Sequence, residues 1–225
     1  MANAYGDNTV SVLPGGGAFG SYDAATSFGA SASYAVGTTP RAVAIGDLNG
    51  DGKPDLATAN AADTDNSVSV LLGVGGGAFG VAVGQRSGST PVSVAISDFD
   101  GDGKLDLVAA NADGNDLSVL PGRGNGTFSP VVRFPVSLGP DAVVVGDLNG
   151  DGKPDLVAAN AQGNSVSVLL NQSPNGGGGG GGGGGATPEL GSGELLATGL
   201  VPALALLLYR RRRTLRANTM PRTTA

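Results

Sequence analysis

The chain has 225 residues, 41 of them Gly, with 4% aromatics and no Cys, His or Trp. A disulfide framework, a thiolate metal site, an imidazole base and a Ser-His-Asp triad are therefore excluded. The net charge of −6 divides unevenly: residues 1–185 hold seven Lys and Arg against 17 Asp, whereas residues 186–225 hold six Arg against two Glu. So acidic a body argues against nucleic-acid binding, which needs a basic footprint.

At the N-terminus, Met1-Ala-Asn3 matches Ala109-Ala-Asn111, and Val10-Ser-Val-Leu-Pro14 matches Leu117-Ser-Val-Leu-Pro121. The chain thus starts inside a repeat unit. It opens without a charged stretch and apolar run, so no N-terminal signal is read here. Repeat arrays rarely begin inside their unit, so upstream sequence is expected.

Next comes a ten-residue phrase, Gly46-Asp-Leu-Asn-Gly-Asp-Gly-Lys-Pro-Asp55. It returns as Ser97-Asp-Phe-Asp-Gly-Asp-Gly-Lys-Leu-Asp106 and again as Gly146-Asp-Leu-Asn-Gly-Asp-Gly-Lys-Pro-Asp155. Oxygen-bearing side chains at alternate places, with Gly between them, describe a loop folded around a hard cation. Calcium takes six to eight oxygens at roughly 2.3–2.6 Å. In the first copy the expected ligands are Asp47, Asn49, Asp51 and Asp55, with the carbonyl of Lys53 as a fifth. The lysine side chain is expected to point away from the ion. Gly50 and Gly52 allow the positive φ that closes the loop.

From Asp47 to Asp98 is 51 residues and from Asp98 to Asp147 is 49, a period typical of solenoids, propellers and arrays. Inside one period, Val92–Ile96 leads into the loop and Asp106–Ala110 leaves it. A polar turn, Asn111–Asn115, precedes a strand at Leu117–Leu120. After a glycine turn and Phe128, Val131–Val136 is extended. Four short strands bounded by turn signals fit one blade of a β-propeller. Asn60, Asn111 and Asn160 hold equivalent places, as do Ser67–Val70 and Ser165–Val168. Phe19, Phe79 and Phe128 each follow a glycine-rich turn.

The expected fold class is all-β: propeller blades of four antiparallel strands, about three and a half repeats in an incomplete propeller, plus one short C-terminal membrane helix. The expected domains are 1–172 for the repeats, with a partial blade at 1–37 and blades at about 38–88, 89–137 and 138–172. A Gly-rich linker covers 173–194, including ten Gly at 176–185. The apolar run 195–209 is read as a transmembrane segment, and 210–225 as a basic cytoplasmic tail. As a helix the run spans about 22 Å, short of the roughly 30 Å hydrocarbon core, and it contains Pro202. Arginines 210–213 on its C-terminal side would stay in the cytoplasm, leaving the repeats outside the cell.

The sequence Val43-Ala-Ile-Gly-Asp-Leu-Asn-Gly-Asp-Gly-Lys-Pro-Asp-Leu56, followed by Gly76-Gly-Ala-Phe-Gly80, resembles the FG-GAP repeat, also called the VCBS repeat, of integrin α-chain propellers and many bacterial surface proteins. The resemblance covers about residues 1–172. It implies a β-propeller with one calcium loop per blade, hence about three Ca2+ in this chain. The ligand positions it implies are Asp47, Asn49, Asp51, the Lys53 carbonyl and Asp55; Asp98, Asp100, Asp102, the Lys104 carbonyl and Asp106; and Asp147, Asn149, Asp151, the Lys153 carbonyl and Asp155. Propellers of that family usually have seven blades, more than this chain supplies. The tail resembles C-terminal sorting signals of bacterial surface proteins, although Pro188–Glu194 is not a Leu-Pro-x-Thr-Gly motif, so simple anchoring is the expectation.

An EF-hand is excluded because its twelfth place, a bidentate Glu, holds Thr58, Ala109 and Ala158. Loops recurring once per repeat point to structural calcium, since an active site normally occurs once. Function is therefore expected to be surface-anchored adhesion or partner binding, with a protein or glycan ligand and no enzyme activity. The alternatives are an accessory domain of a secreted hydrolytic enzyme, or a structural spacer. Carboxylates for catalysis would have to come from Asp23, Asp63, Asp65, Asp113, Asp116 or Asp141.

Overall fold

The computed structural model describes residues 2–3, 7–15, 28–62 and 67–173. They form β-strands and no helix. In the first repeat β1 (Ala2–Asn3), β2 (Thr9–Val12) and β3 (Ala32–Ala35) make a three-stranded sheet. The second repeat contributes β4 (Pro40–Gly46), β5 (Asp55–Asn60), β6 (Ser67–Leu71), a small ribbon of β7 (Gly73–Gly75) and β8 (Ala78–Phe79), and β9 (Val83–Arg86). Its sheet order is β4-β5-β6-β9. The third repeat is β10 (Pro91–Ser97), β11 (Asp106–Asn111), β12 (Asp116–Leu120) and β13 (Val132–Pro135), paired in that order. The fourth is β14 (Pro140–Gly146), β15 (Asp155–Asn160) and β16 (Ser165–Leu169).

Every pairing is antiparallel, and antiparallel sheets of three or four strands fit the blades of a propeller. The four strands expected in each full repeat are those of the second and third. Boundaries shift slightly: Asn111 and Asp116 extend strands on either side of the turn, and they face each other across it. In the second, third and fourth repeats the first strand begins at a proline and slips register directly after it, at Pro40/Ala42, Pro91/Ser93 and Pro140/Ala142. Proline lacks the N–H a ladder needs, so it sits where pairing starts.

The second strand of each full repeat is buried along its whole length. Alternate residues point to opposite faces, and in β11 this is visible directly. Leu107 and Ala109 join one apolar cluster with Leu48, Val68 and Val70 of the repeat before. Val108 and Ala110 join another with Val143, Leu156 and Ala158 of the repeat after. A strand covered on both faces needs apolar residues on both, and Leu107-Val-Ala-Ala110 supplies them, between the buried, hydrogen-bonded Asp106 and Asn111. Val10, Leu56 and Leu71 make the corresponding contact between the first two repeats.

The first repeat departs from expectation at its turn. Phe28 bridges Gly15 as Phe128 bridges Gly122. The Gly29 amide donates to the Pro14 carbonyl at 2.8 Å, as Ser129 does to Pro121 and Gly80 to Leu72. The Phe-Gly pair working in this repeat is thus Phe28-Gly29, at the end of a longer turn. Phe19 lies outside the described residues, as do the Gly-rich linker from residue 174, the apolar run 195–209 and the basic tail.

Candidate metal centre

Each acidic loop joins the first strand of a sheet to the second. In the third repeat Asp98 follows β10, and its carboxylate gathers the loop's amides. Oδ1 accepts from Gly101 at 2.8 Å and Asp102 at 3.2 Å, and Oδ2 from Gly103 at 2.9 Å. Asp100 Oδ1 accepts from the Asp102 amide, and Asp102 Oδ1 from the Lys104 amide. These are Asx turns in series, a side chain standing in for a backbone carbonyl. They bend the chain so tightly that Gly101 and Gly103 sit at φ of 76° and 83°, where a Cβ is strongly disfavoured.

The other two loops repeat the pattern. Asp47 accepts from Gly50, Asp51 and Gly52, and Asn49 and Asp51 make the following turns. Asp147 accepts from Gly150 and Gly152, Asn149 from Asp151, and Asp151 from Lys153.

The last aspartate of each loop has a different place. Asp55, Asp106 and Asp155 open the second strand and are buried. Asp106 Oδ2 accepts from the Phe99 amide at 2.8 Å and Oδ1 from the Gly122 amide at 2.7 Å. Asp55 does the same with Leu48 and Gly73, and Asp155 with Leu148 and Asn171. One carboxylate thus fastens the loop to the exit of the third strand. Sequence reasoning missed those partners. The signal was available, since Gly73 and Gly122 each lie two residues past a Ser-Val-Leu strand. An added Cβ would strike the Pro54 carbonyl at Gly73 and the Leu105 carbonyl at Gly122. The fourth repeat uses Asn171 at this place, and its side-chain amide donates to the Phe99 carbonyl of the preceding repeat at 2.7 Å.

In the third repeat, one carboxylate oxygen from each of Asp98, Asp100 and Asp106 lies within 4.8 Å of the others. Asp102 does not join that group. It pairs with the Lys104 ammonium, as Asp51 pairs with Lys53 at 2.9 Å. These two lysines therefore fold back over an expected ligand, while Lys153 reaches out to the Ser173 carbonyl.

Electrostatics show the crowding. Burial pushes the Asp106 carboxyl up to about 6, against the pull of its amide donors, and the charges of Asp100 and Asp98 add to the rise. Asp100 is raised by burial and by Asp102. Asp51 is lowered by its hydrogen bond to Lys53, and Asp147 by the Gly152 amide. A divalent cation at the Asp98, Asp100 and Asp106 oxygens would offset the burial and the mutual repulsion that raise the proton affinity of Asp100 and Asp106. The donor set, all oxygen and mostly anionic, suits a hard cation.

Phrase by phrase, the loops and strands match the FG-GAP-like repeat at residues 47–109 and 98–158, and the FG-GAP repeat at residues 139–186. The chain belongs to the FG-GAP repeat family. Among solved structures it is similar to an Agrocybe aegerita lectin described as specifically recognising non-reducing terminal N-acetylglucosamine, at 21% identity and a TM-score of 0.44. That match covers 75% of this chain and 44% of the lectin chain. It is also similar to a Photorhabdus luminescens Tc holotoxin pore, at 20% identity and a TM-score of 0.39, over 76% of this chain and 8% of the other. The FG-GAP chain thus spans less than half the length of these solved chains. No curated protein matches it.

Proposed function

We propose that the FG-GAP repeats form a binding module stiffened by calcium and held at a bacterial-type cell surface. The observation that carries this is the convergence of Asp98, Asp100 and Asp106 oxygens within 4.8 Å on a loop whose sequence recurs twice more. Calcium would be held there with Asp102 and the Lys104 carbonyl, and in the other loops by Asp47, Asn49, Asp51, the Lys53 carbonyl and Asp55, and by Asp147, Asn149, Asp151, the Lys153 carbonyl and Asp155. Its chemistry there is electrostatic: it joins carboxylates that otherwise repel. Binding energy becomes folding energy because an unfolded chain has no such site.

The module is not an enzyme in this reading. Of the aspartates outside the loops, Asp113 accepts from the Thr90 hydroxyl and Asp116 is tied to Asn111 and Arg133, which are turn-fastening roles. Asp23, Asp63 and Asp65 lie outside the described residues. A protein or glycan partner is proposed, with the membrane reached through 195–209. Calcium titration of the full chain by calorimetry is expected to give about three sites per chain, lost in the loops where the first aspartate is changed to Ala. Absence of binding heat and of any shift in stability would reject the calcium role.

A further inference from the structure

We infer that Asn49 is a site of spontaneous modification, in which its side-chain amide is lost and an acid takes its place. Asparagine followed by glycine occurs at residues 49, 125, 149 and 175. Glycine has no Cβ to shield its nitrogen, so that nitrogen can reach the side-chain Cγ of the residue before it. The Gly50 nitrogen gives its proton to solvent and bonds to Asn49 Cγ. The Cγ–Nδ2 bond breaks, and ammonia leaves with a proton taken from solvent. Water then opens the cyclic imide. Opening at the side-chain carbonyl gives an aspartate, and opening at the main-chain carbonyl gives a β-linked aspartate with a longer main chain.

The fold separates Asn49 from Asn125. The Gly50 amide donates to Asp47 Oδ1 at 2.8 Å, inside its own loop, and Asn49 Oδ1 accepts from the Asp51 amide at 3.0 Å. Rotation of the Asp47 carboxylate frees the Gly50 nitrogen and leaves every strand in place. Gly50 is exposed, and an added Cβ there would meet only the Gly124 carbonyl, at 4.0 Å. Gly126 is held by more. Its amide donates to the Leu48 carbonyl of the preceding repeat at 3.1 Å, and an added Cβ would strike the Leu72 side chain. Asn125 Oδ1 accepts from both the amide and the hydroxyl of Thr127. Freeing the Gly126 nitrogen means lifting its turn off the repeat before it, and openings that break more contacts are less populated. The fold already accommodates the aspartate product. Asp100 stands in the third loop where Asn49 stands in the second, and its Oδ1 accepts from the Asp102 amide at 3.1 Å. The modified second loop thus gains the carboxylate of the third. Any gain in calcium affinity rests on the calcium role proposed above, and the modification itself does not.

The test holds the full chain warm in detergent micelles at mildly alkaline pH, with a chelator present so that no metal ion bears on the result. Peptide mass spectrometry follows the conversion of amide to acid at Asn49 and Asn125. A parallel sample in urea gives the rates of the open chain. Dividing each folded-state rate by its urea rate removes the effect of neighbouring residues. That quotient is expected to be about tenfold or more larger for Asn49 than for Asn125. Asn49→Gln should remove the signal at that position and leave the one at Asn125 unchanged. An Asn49 that stays intact in the folded chain while the urea sample converts would overturn the inference. So would a quotient for Asn49 equal to or below that for Asn125.

Discussion

Asp106 shows how much one side chain carries. Its two oxygens accept amides from Phe99 and Gly122, so Asp106→Ala leaves two donors without acceptors. A loss of about 2–4 kcal/mol is expected, measured by urea unfolding of calcium-stripped protein, so that it does not depend on the ion. The same carboxyl sets a pH dependence. Its folded pKa, pushed up to about 6, lies above the ordinary carboxylate value of about 3.9. The folded state therefore takes up the proton first, and the contribution to stability is full below about pH 4 and lost as pH rises through 6. Calcium-stripped protein should gain stability from this group between pH 7 and pH 5, and Asp106→Asn should remove that gain. At Gly122 an added Cβ would meet the Leu105 carbonyl, whereas at Gly84 it meets nothing within 4 Å. Gly122→Ala is expected to cost about 2 kcal/mol or more, and Gly84→Ala to be neutral or slightly stabilising, both read from urea midpoints.

Among elements, the third strand gives the cleanest comparison, because Val68 of β6 and Val166 of β16 occupy one position in two repeats. The first is fully buried and the second 40% exposed. Val68→Ala should cost about 2 kcal/mol and Val166→Ala close to nothing in dilute protein, as a denaturant series would show. The elements were legible in the sequence because the unit recurs: Asp-Leu-Val-Ala-Ala-Asn stands in the third and fourth repeats and Ser-Val-Ser-Val-Leu in the second and fourth, with close variants in the remaining copy of each. The glycine turn of the first repeat was less so. It holds two Phe-Gly pairs, Phe19-Gly20 and Phe28-Gly29, and periodicity cannot choose between them. Backbone bridging to Gly15 does. Also hidden was the anchoring of the last loop aspartate, since one of its two amide partners lies 16 to 18 residues away and across a strand. The lysine pairs to Asp51 and Asp102 were likewise outside a reading that placed every loop oxygen on an ion.

For the whole molecule, stability rests on stacked sheets whose loops concentrate negative charge. Residues 1–185 carry 17 Asp against seven Lys and Arg, and twelve acids and amides fall in three loops. Without a counter-ion those charges oppose compaction; with one they hold strand to strand. If each of the three loops held calcium as proposed, each site filled to a hundred times its dissociation constant would add about 2.7 kcal/mol, and the three together would outweigh any single core contact. The most direct measurement is thermal unfolding of the full chain in calcium and again after calcium is stripped. Calcium as a structural ligand predicts one cooperative transition that falls by many degrees on stripping and returns when calcium is restored. Identical melting curves in the two conditions would contradict it.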